Sequence, residues 1–276
     1  MTWRAVGSVL PGQLSDARLE LHFAAQLVSA AGASLLTPEA DFGHTNLGWD
    51  AALDVLAGRR VGDEPVRAAL VFESLELAVL EGRLERASHP LVGSTMEQAL
   101  AWLGERIAGN RTRLTLPVHD MPDHPIAGGA PFAEAGADAR TELAAWFANA
   151  TAAIHAAVSE DRRASSVRCW PHHFDVASLI TVDDEADAEE ARSIGVGFSP
   201  GDGSYDQPYF YVTPWPYPPA DTLPGLSGGA QWHTEGWTGA VLTAEQVISK
   251  PASRQSDVVR DALGGAITAC RTLLRD

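Results

Sequence analysis

The sequence predicts an α+β protein, with antiparallel sheet flanked by helices, arranged as two related helix–strands–helix halves. Three observations carry this. Four segments show apolar residues at helical spacing, the stretches between them alternate or run apolar at strand length, and the same order occurs twice around a Pro/Gly-rich join.

The first helical stripe is Leu19, Phe23, Leu27 and Ala30, opened by Ser15 as the expected N-cap and closed near Gly32. Extended segments follow, HTNLGWDAALDVLAG and VRAALVFESLELAVLEG. In the second of these, Val71, Glu73, Leu75 and Leu77 alternate against Phe72, Ser74, Glu76 and Ala78, the pattern of one strand with a wet face, with propensities that also tolerate helix. Met96, Leu100, Leu103 and Ile107 mark the next helix, and STME at Ser94 to Glu97 reads as its capping box. The join runs from Asn110 to Asp138, and its LPVHDMPDHPIAGGAPF reads as a surface connection in which HDMPDH is a solvated loop. This sets halves at 1–109 and 139–276, or one compact domain.

Leu143, Trp146, Phe147, Ala150, Ile154 and Val158 stripe a helix over about Ala139 to Ser159. Strands are expected in SVRCWPHHFDVASLITV, SIGVGFSP, YFYVTPW and GWTGAVL, before a last helix marked by Val259, Leu263, Ala266, Ile267, Cys270 and Leu274. No phosphate-cradling glycine motif follows any strand, so a nucleotide-binding βαβ fold has no support.

Composition narrows the function classes. The 276 residues are 45% hydrophobic and 20% charged, ordinary for a globular chain that builds its core without staples. A net charge of −16 argues against nucleic acid as a partner, because binding phosphate backbones needs a basic face. The densest charge run, Asp183 to Arg192, is acidic and reads as solvated. Lys250 is the sole lysine and sits before Pro251 in an expected turn, which removes Schiff-base chemistry. Cys169 and Cys270 lie in apolar segments and read as packed reduced thiols. The absence of a leader pattern or a membrane-length apolar run completes the expectation of a cytoplasmic protein with no membrane partner.

The segment from Cys169 to Trp237 holds all four tyrosines, four of eight tryptophans and three of nine histidines. Rings with polar tips, imidazoles and carboxylates together are what a concave ligand site needs. In WPHHFD, read as a strand, Trp170, His172 and Phe174 share one face while His173 and Asp175 share the other. There Asp175 can orient His173 as a general acid/base, or the two can join His233 and Glu235 of QWHTEGW around a divalent metal. No recognised cofactor motif is present, so a divalent metal is the one cofactor these residues leave open. GFSPGDGSYD carries a β-turn at Ser199 to Asp202, with Pro200 fixing φ and Gly201 supplying a positive φ. In PYFYVTPWPYP, Tyr209 and Tyr211 share a strand face beside a proline-rich rim that stops further pairing.

At WPHHFDVA and GFSPGD the chain resembles an uncharacterised bacterial family, domain-of-unknown-function family 5996. Its words run roughly FFW-x-x-FDLA and GFWPG. LHFAAQLV at Leu21 to Val28 is similar to that family's LHLWAQIVG-like opening, so the resemblance spans nearly the whole chain in order. The chain departs from it where Pro171, His172 and His173 stand for Trp-Gly-Ser, and where Ser199 stands for Trp. The resemblance implies no activity.

The expectation is therefore a pocket binding a small polar or planar ligand, lined by Trp170, His172, Asp202, Tyr209, Tyr211, Trp215 and Trp232. The alternative is a hydrolase-like enzyme using His173 and Asp175, with or without metal. A homo-oligomer is compatible with either.

Overall fold

The computed structural model describes residues 2–62, 66–108, 112–183 and 191–275. Among these residues it holds two antiparallel sheets, of five and six strands, and five α-helices, the α+β architecture expected. In chain order these are α1 (Ser15–Leu35), β1 (Gly48–Asp50), β2 (Val55–Ala57), β3 (Val66–Val71), β4 (Glu76–Glu81), β5 (Leu84–Pro90) and α2 (Met96–Ala108). Then come α3 (Ala137–Val158), β6 (Arg168–Trp170), β7 (Asp175–Thr181), β8 (Ser193–Ser199), β9 (Tyr209–Trp215), β10 (Gln231–His233), β11 (Gly239–Thr243), α4 (Ala244–Ile248) and α5 (Ala252–Leu273).

The chain forms two compact units. An N-terminal unit takes residues 13–144 with 168–174, and a C-terminal unit takes 1–12, 145–167 and 175–276. A single cut through 110–138 misses two exchanges. The first twelve residues belong with the later part of the chain, and Arg168–Phe174 belong with the earlier part. The reason is hydrogen bonding. Gln255 of α5 holds Trp3 and Val6, and Asn149 of α3 holds Arg4. In the other unit Leu47 and Cys169 exchange both backbone bonds at 2.9 Å.

In the N-terminal unit the meander β1-β2-β3-β4-β5 buries Val55, Ala57, Ala69, Ala78 and Leu80 on one face. Strand β3 and strand β4 are not one long strand, as their alternation implied. Phe72 to Leu75 forms a tight turn, with Leu75 N–H bonded to Phe72 O at 3.1 Å and Leu75 at φ 50°. Helix α2 is capped one residue later than expected: Thr95 and Gln98 satisfy each other's backbone donors at 2.9 and 3.3 Å. Ser94 instead meets His89 Nε2 at 3.2 Å. Both S-x-x-E and T-x-x-Q fit the motif, and the backbone chose the second. Helix α1 starts at Ser15 itself, so Leu14 holds the N-cap position with no side-chain cap.

In the C-terminal unit the order β7-β8-β9-β11-β10 is again an antiparallel meander with one inversion. Alternation along β9 sends Phe210, Val212 and Pro214 to the helix-covered side. There Phe210 and Phe198 pack against Trp146 of α3, at ring separations of 6.4 and 6.0 Å. Tyr209, Tyr211, Thr213 and Trp215 go to the opposite face.

The two halves share more than element order. Between β1 and β2, and again between β6 and β7, the chain makes a four-residue turn ending on a positive-φ residue, Asp54 at 59° and Phe174 at 58°. Each of these donates its N–H four residues back, to Asp50 O and Trp170 O, at 2.8 and 2.7 Å. No helix among the described residues is long and apolar enough to cross a membrane.

Candidate functional site

The turn at 171–174 decides where the predicted site residues go. WPHHFD is not a continuous strand: β6 ends at Trp170, and Pro171, lacking an N–H, opens the turn. Strand alternation therefore does not apply to His172 and His173, and the expected His173/Asp175 face is not formed by it. His173 is exposed, while Asp175 opens β7 in the C-terminal unit.

In the N-terminal unit this turn meets the HDMPDH loop, which is not a free solvated loop. His119 lies 5.5 Å from His172, ring to ring, and His172 lies 4.3 Å from His173. Trp170 is half-buried and sits edge-on to His172 at 6.3 Å. His22 of α1 stacks on Phe174 at 5.2 Å, and its Nε2 meets Pro171 O at 2.9 Å. Burial, joined by the neighbouring imidazoles His173 and His119, pushes His172 down to about 4. Burial, with the charges of Arg18, His119 and His173, also holds His22 at about 4. His119 is lowered by burial and by His173. Burial thus favours the neutral forms of His22, His119 and His172.

In the C-terminal unit the outward face of β9 carries the aromatic array. Tyr209 donates its hydroxyl to Asp202 Oδ2 at 2.6 Å, and Tyr211 donates its own to Asp175 Oδ2. Burial first, then the partner carboxylate, raises both phenols well above the ordinary tyrosine range. Tyr209 is buried, at 4% exposure, and Tyr211 is half-buried. Tyr211 lies over Gly197, its cross-strand partner on β8, because any side chain there would meet the ring. Tyr205 bonds His233 Nδ1 at 3.0 Å, and His233 packs on Trp237 at 4.3 Å. Before them Gly201 takes the positive φ expected of it, 120°, while Asp202 N–H bonds Tyr205 O at 2.8 Å rather than closing a turn onto Ser199. Asp202 Oδ1 accepts from Ser204 and Tyr205 at 2.8 and 3.2 Å.

The remaining predicted residues make other contacts. Trp232 donates to Pro224 O at 2.7 Å, and Trp215 is exposed with its edge to Tyr217 at 5.2 Å. His233 Nε2 meets Glu235 O at 2.8 Å, so Glu235 takes part through its backbone. Among the described residues no three His, Cys, Asp or Glu side chains gather closely enough to hold a metal ion. The expected set of His173, Asp175, His233 and Glu235 is therefore not assembled as a metal centre. The bond to Asp175 Oδ2 comes from tyrosine, which no spacing rule in WPHHFD signalled. Both cysteines are buried free thiols. The acidic run at Asp183 to Arg192 lies mostly outside the described residues; its two ends pair, Arg192 Nη2 to Asp183 Oδ1, at 2.8 Å.

Neither a family model, a curated protein nor a solved structure matches the chain.

Proposed function

We propose that the protein binds a small polar or planar ligand on the tyrosine face of the C-terminal unit. The observation that carries the reading is the pair of tyrosine–carboxylate bonds, Tyr209 to Asp202 and Tyr211 to Asp175, set side by side on one sheet face. Asp202 is exposed and accepts three bonds, which leaves it an acceptor site for a ligand, since an ionised carboxylate has about four. The partly exposed rings of Tyr205, Tyr211 and Trp237 offer flat surfaces for stacking. Hydroxyl-rich or flat heterocyclic molecules fit that chemistry. Membership of family 5996 and residence in the cytoplasm belong to the same proposal; the second is supported by two free, buried thiols.

Saturation-transfer NMR with a mixture of neutral monosaccharides and nucleosides is the test. Transfer to one class that disappears in Asp202→Asn and in Trp237→Ala supports the reading. No transfer, or transfer unchanged in both variants, overturns it.

A further inference from the structure

The N-terminal unit contains a cavity of about 950 Å³ whose walls include Arg59, Arg60, Arg67 and Arg168. Its origin is the exchange of segments described above. The antiparallel bridge between Leu47 and Cys169 sets Arg168 opposite Gly48. Gly48 in turn pairs with Ala57 of β2, and Arg59 follows two residues later. Two arginines thus flank a glycine beside which a Cβ would meet nothing within 4 Å. The buried ring of Trp49, at 8% exposure, lines the same cavity.

Part of the positive charge here is left unbalanced among the described residues. Arg86, Arg192, Arg260 and Arg271 each hold a carboxylate. In the cavity Arg67 pairs with Asp50 at 3.0 Å, which occupies that acid. Glu39, the other acid in the wall, has its carboxylate turned over Gly43. Among the described residues, Arg59 and Arg60 have neither a hydrogen bond nor a carboxylate within 4 Å. Burial, and then the charge of Arg59, lower the pKa of Arg168. A chain of net charge −16 has acids to spare, yet two guanidiniums lie near each other here and, among the described residues, Arg59 has no counter-charge. Guanidiniums match the geometry of carboxylates and phosphates, and a bound oxyanion removes the repulsion between them.

We propose that this cavity binds a small organic oxyanion, a carboxylate or a phosphate ester, whose anionic group sits between Arg59 and Arg168 with Arg60 at the rim. The volume lies at the upper end of the range for small-molecule sites, about 300–1,000 Å³, so the anion belongs to a molecule larger than the bare ion. Arg67, tied to Asp50 and to Gly82 O, is a positioning residue in the wall.

The test is thermal melting of the full chain with inorganic phosphate, citrate and adenosine monophosphate, ionic strength held constant with sodium chloride. A saturable rise in Tm with at least one probe is expected. Citrate alone points to carboxylates, adenosine monophosphate alone to phosphate esters, and both together to general oxyanion recognition. In the double variant Arg59→Gln, Arg60→Gln the apparent affinity should fall by about tenfold or more. Without a probe, the same variant should melt at or above the parent temperature, because a repulsion has been removed. No response at about 10 mM, a concentration that would load even a millimolar site, overturns the proposal. So does a response that persists in the variant, or a variant that melts below the parent without any probe, since the two arginines would then be structural.

Discussion

At the scale of residues, the histidines of the N-terminal unit show how burial sets charge. His22 and His172 titrate at about 4 in the folded chain, against an ordinary value of 6.5. A histidine with a depressed folded pKa binds fewer protons folded than unfolded between those values. Its contribution to stability is then complete above about 6.5 and is lost as pH falls toward 4. Urea melts between pH 7.5 and pH 4 should therefore show stability falling below about pH 6.5, by on the order of 1–3 kcal/mol once partial exposure of His172 is discounted. His172→Asn should flatten that slope, and an unchanged slope would show that other groups cause it. The sequence displayed these imidazoles but not their neighbourhood. HDMPDH and WPHHFD are far apart in the chain, and only the turn opened by Pro171 brings His119 to His172.

At the scale of elements, the face of β9 was legible because period-two alternation is a local rule: Tyr209 and Tyr211 share a side, as the sequence implied. What lies beneath them was not. Glycine on β8 is silent in a hydropathy pattern, yet Gly197 is what lets the Tyr211 ring lie flat and reach Asp175. Gly197→Ala should therefore cost about 1–3 kcal/mol, the range for overpacking a filled site. Combining it with Tyr211→Ala should recover most of that loss, which a double-mutant cycle of denaturant melts would read as coupling. Additive losses would mean the ring has room to move aside. The turns at Phe72–Leu75 and Pro171–Phe174 were hidden for a related reason. Leu75 and Phe174 take positive φ without being glycine, so no composition signal marks the breaks.

At the scale of the whole molecule, a net charge of −16 on 276 residues makes self-repulsion a property of the fold rather than of any pair. Salt screens it, the Debye length falling to about 10 Å at 0.1 M. The melting temperature should rise as sodium chloride goes from about 0.02 to 0.5 M, a range over which that screening becomes strong. A flat or falling curve would show that ion pairs such as Arg192–Asp183 outweigh the repulsion. The arginine cavity escaped sequence reading at this same scale, because Arg59, Arg60, Arg67 and Arg168 form no run, and the Leu47–Cys169 bridge that assembles them is a property of the tertiary fold.

The clasp of Gln255 on Val6 bears on how the chain is made. The two residues are 249 positions apart, and a ribosome adding about 5–20 residues each second separates their synthesis by about 10–50 s. Asn149, which holds Arg4, emerges earlier in that interval, and the N-terminal unit is fully produced once Phe174 is, well before Gln255. One unit can mature during translation; the other must wait for its final helix.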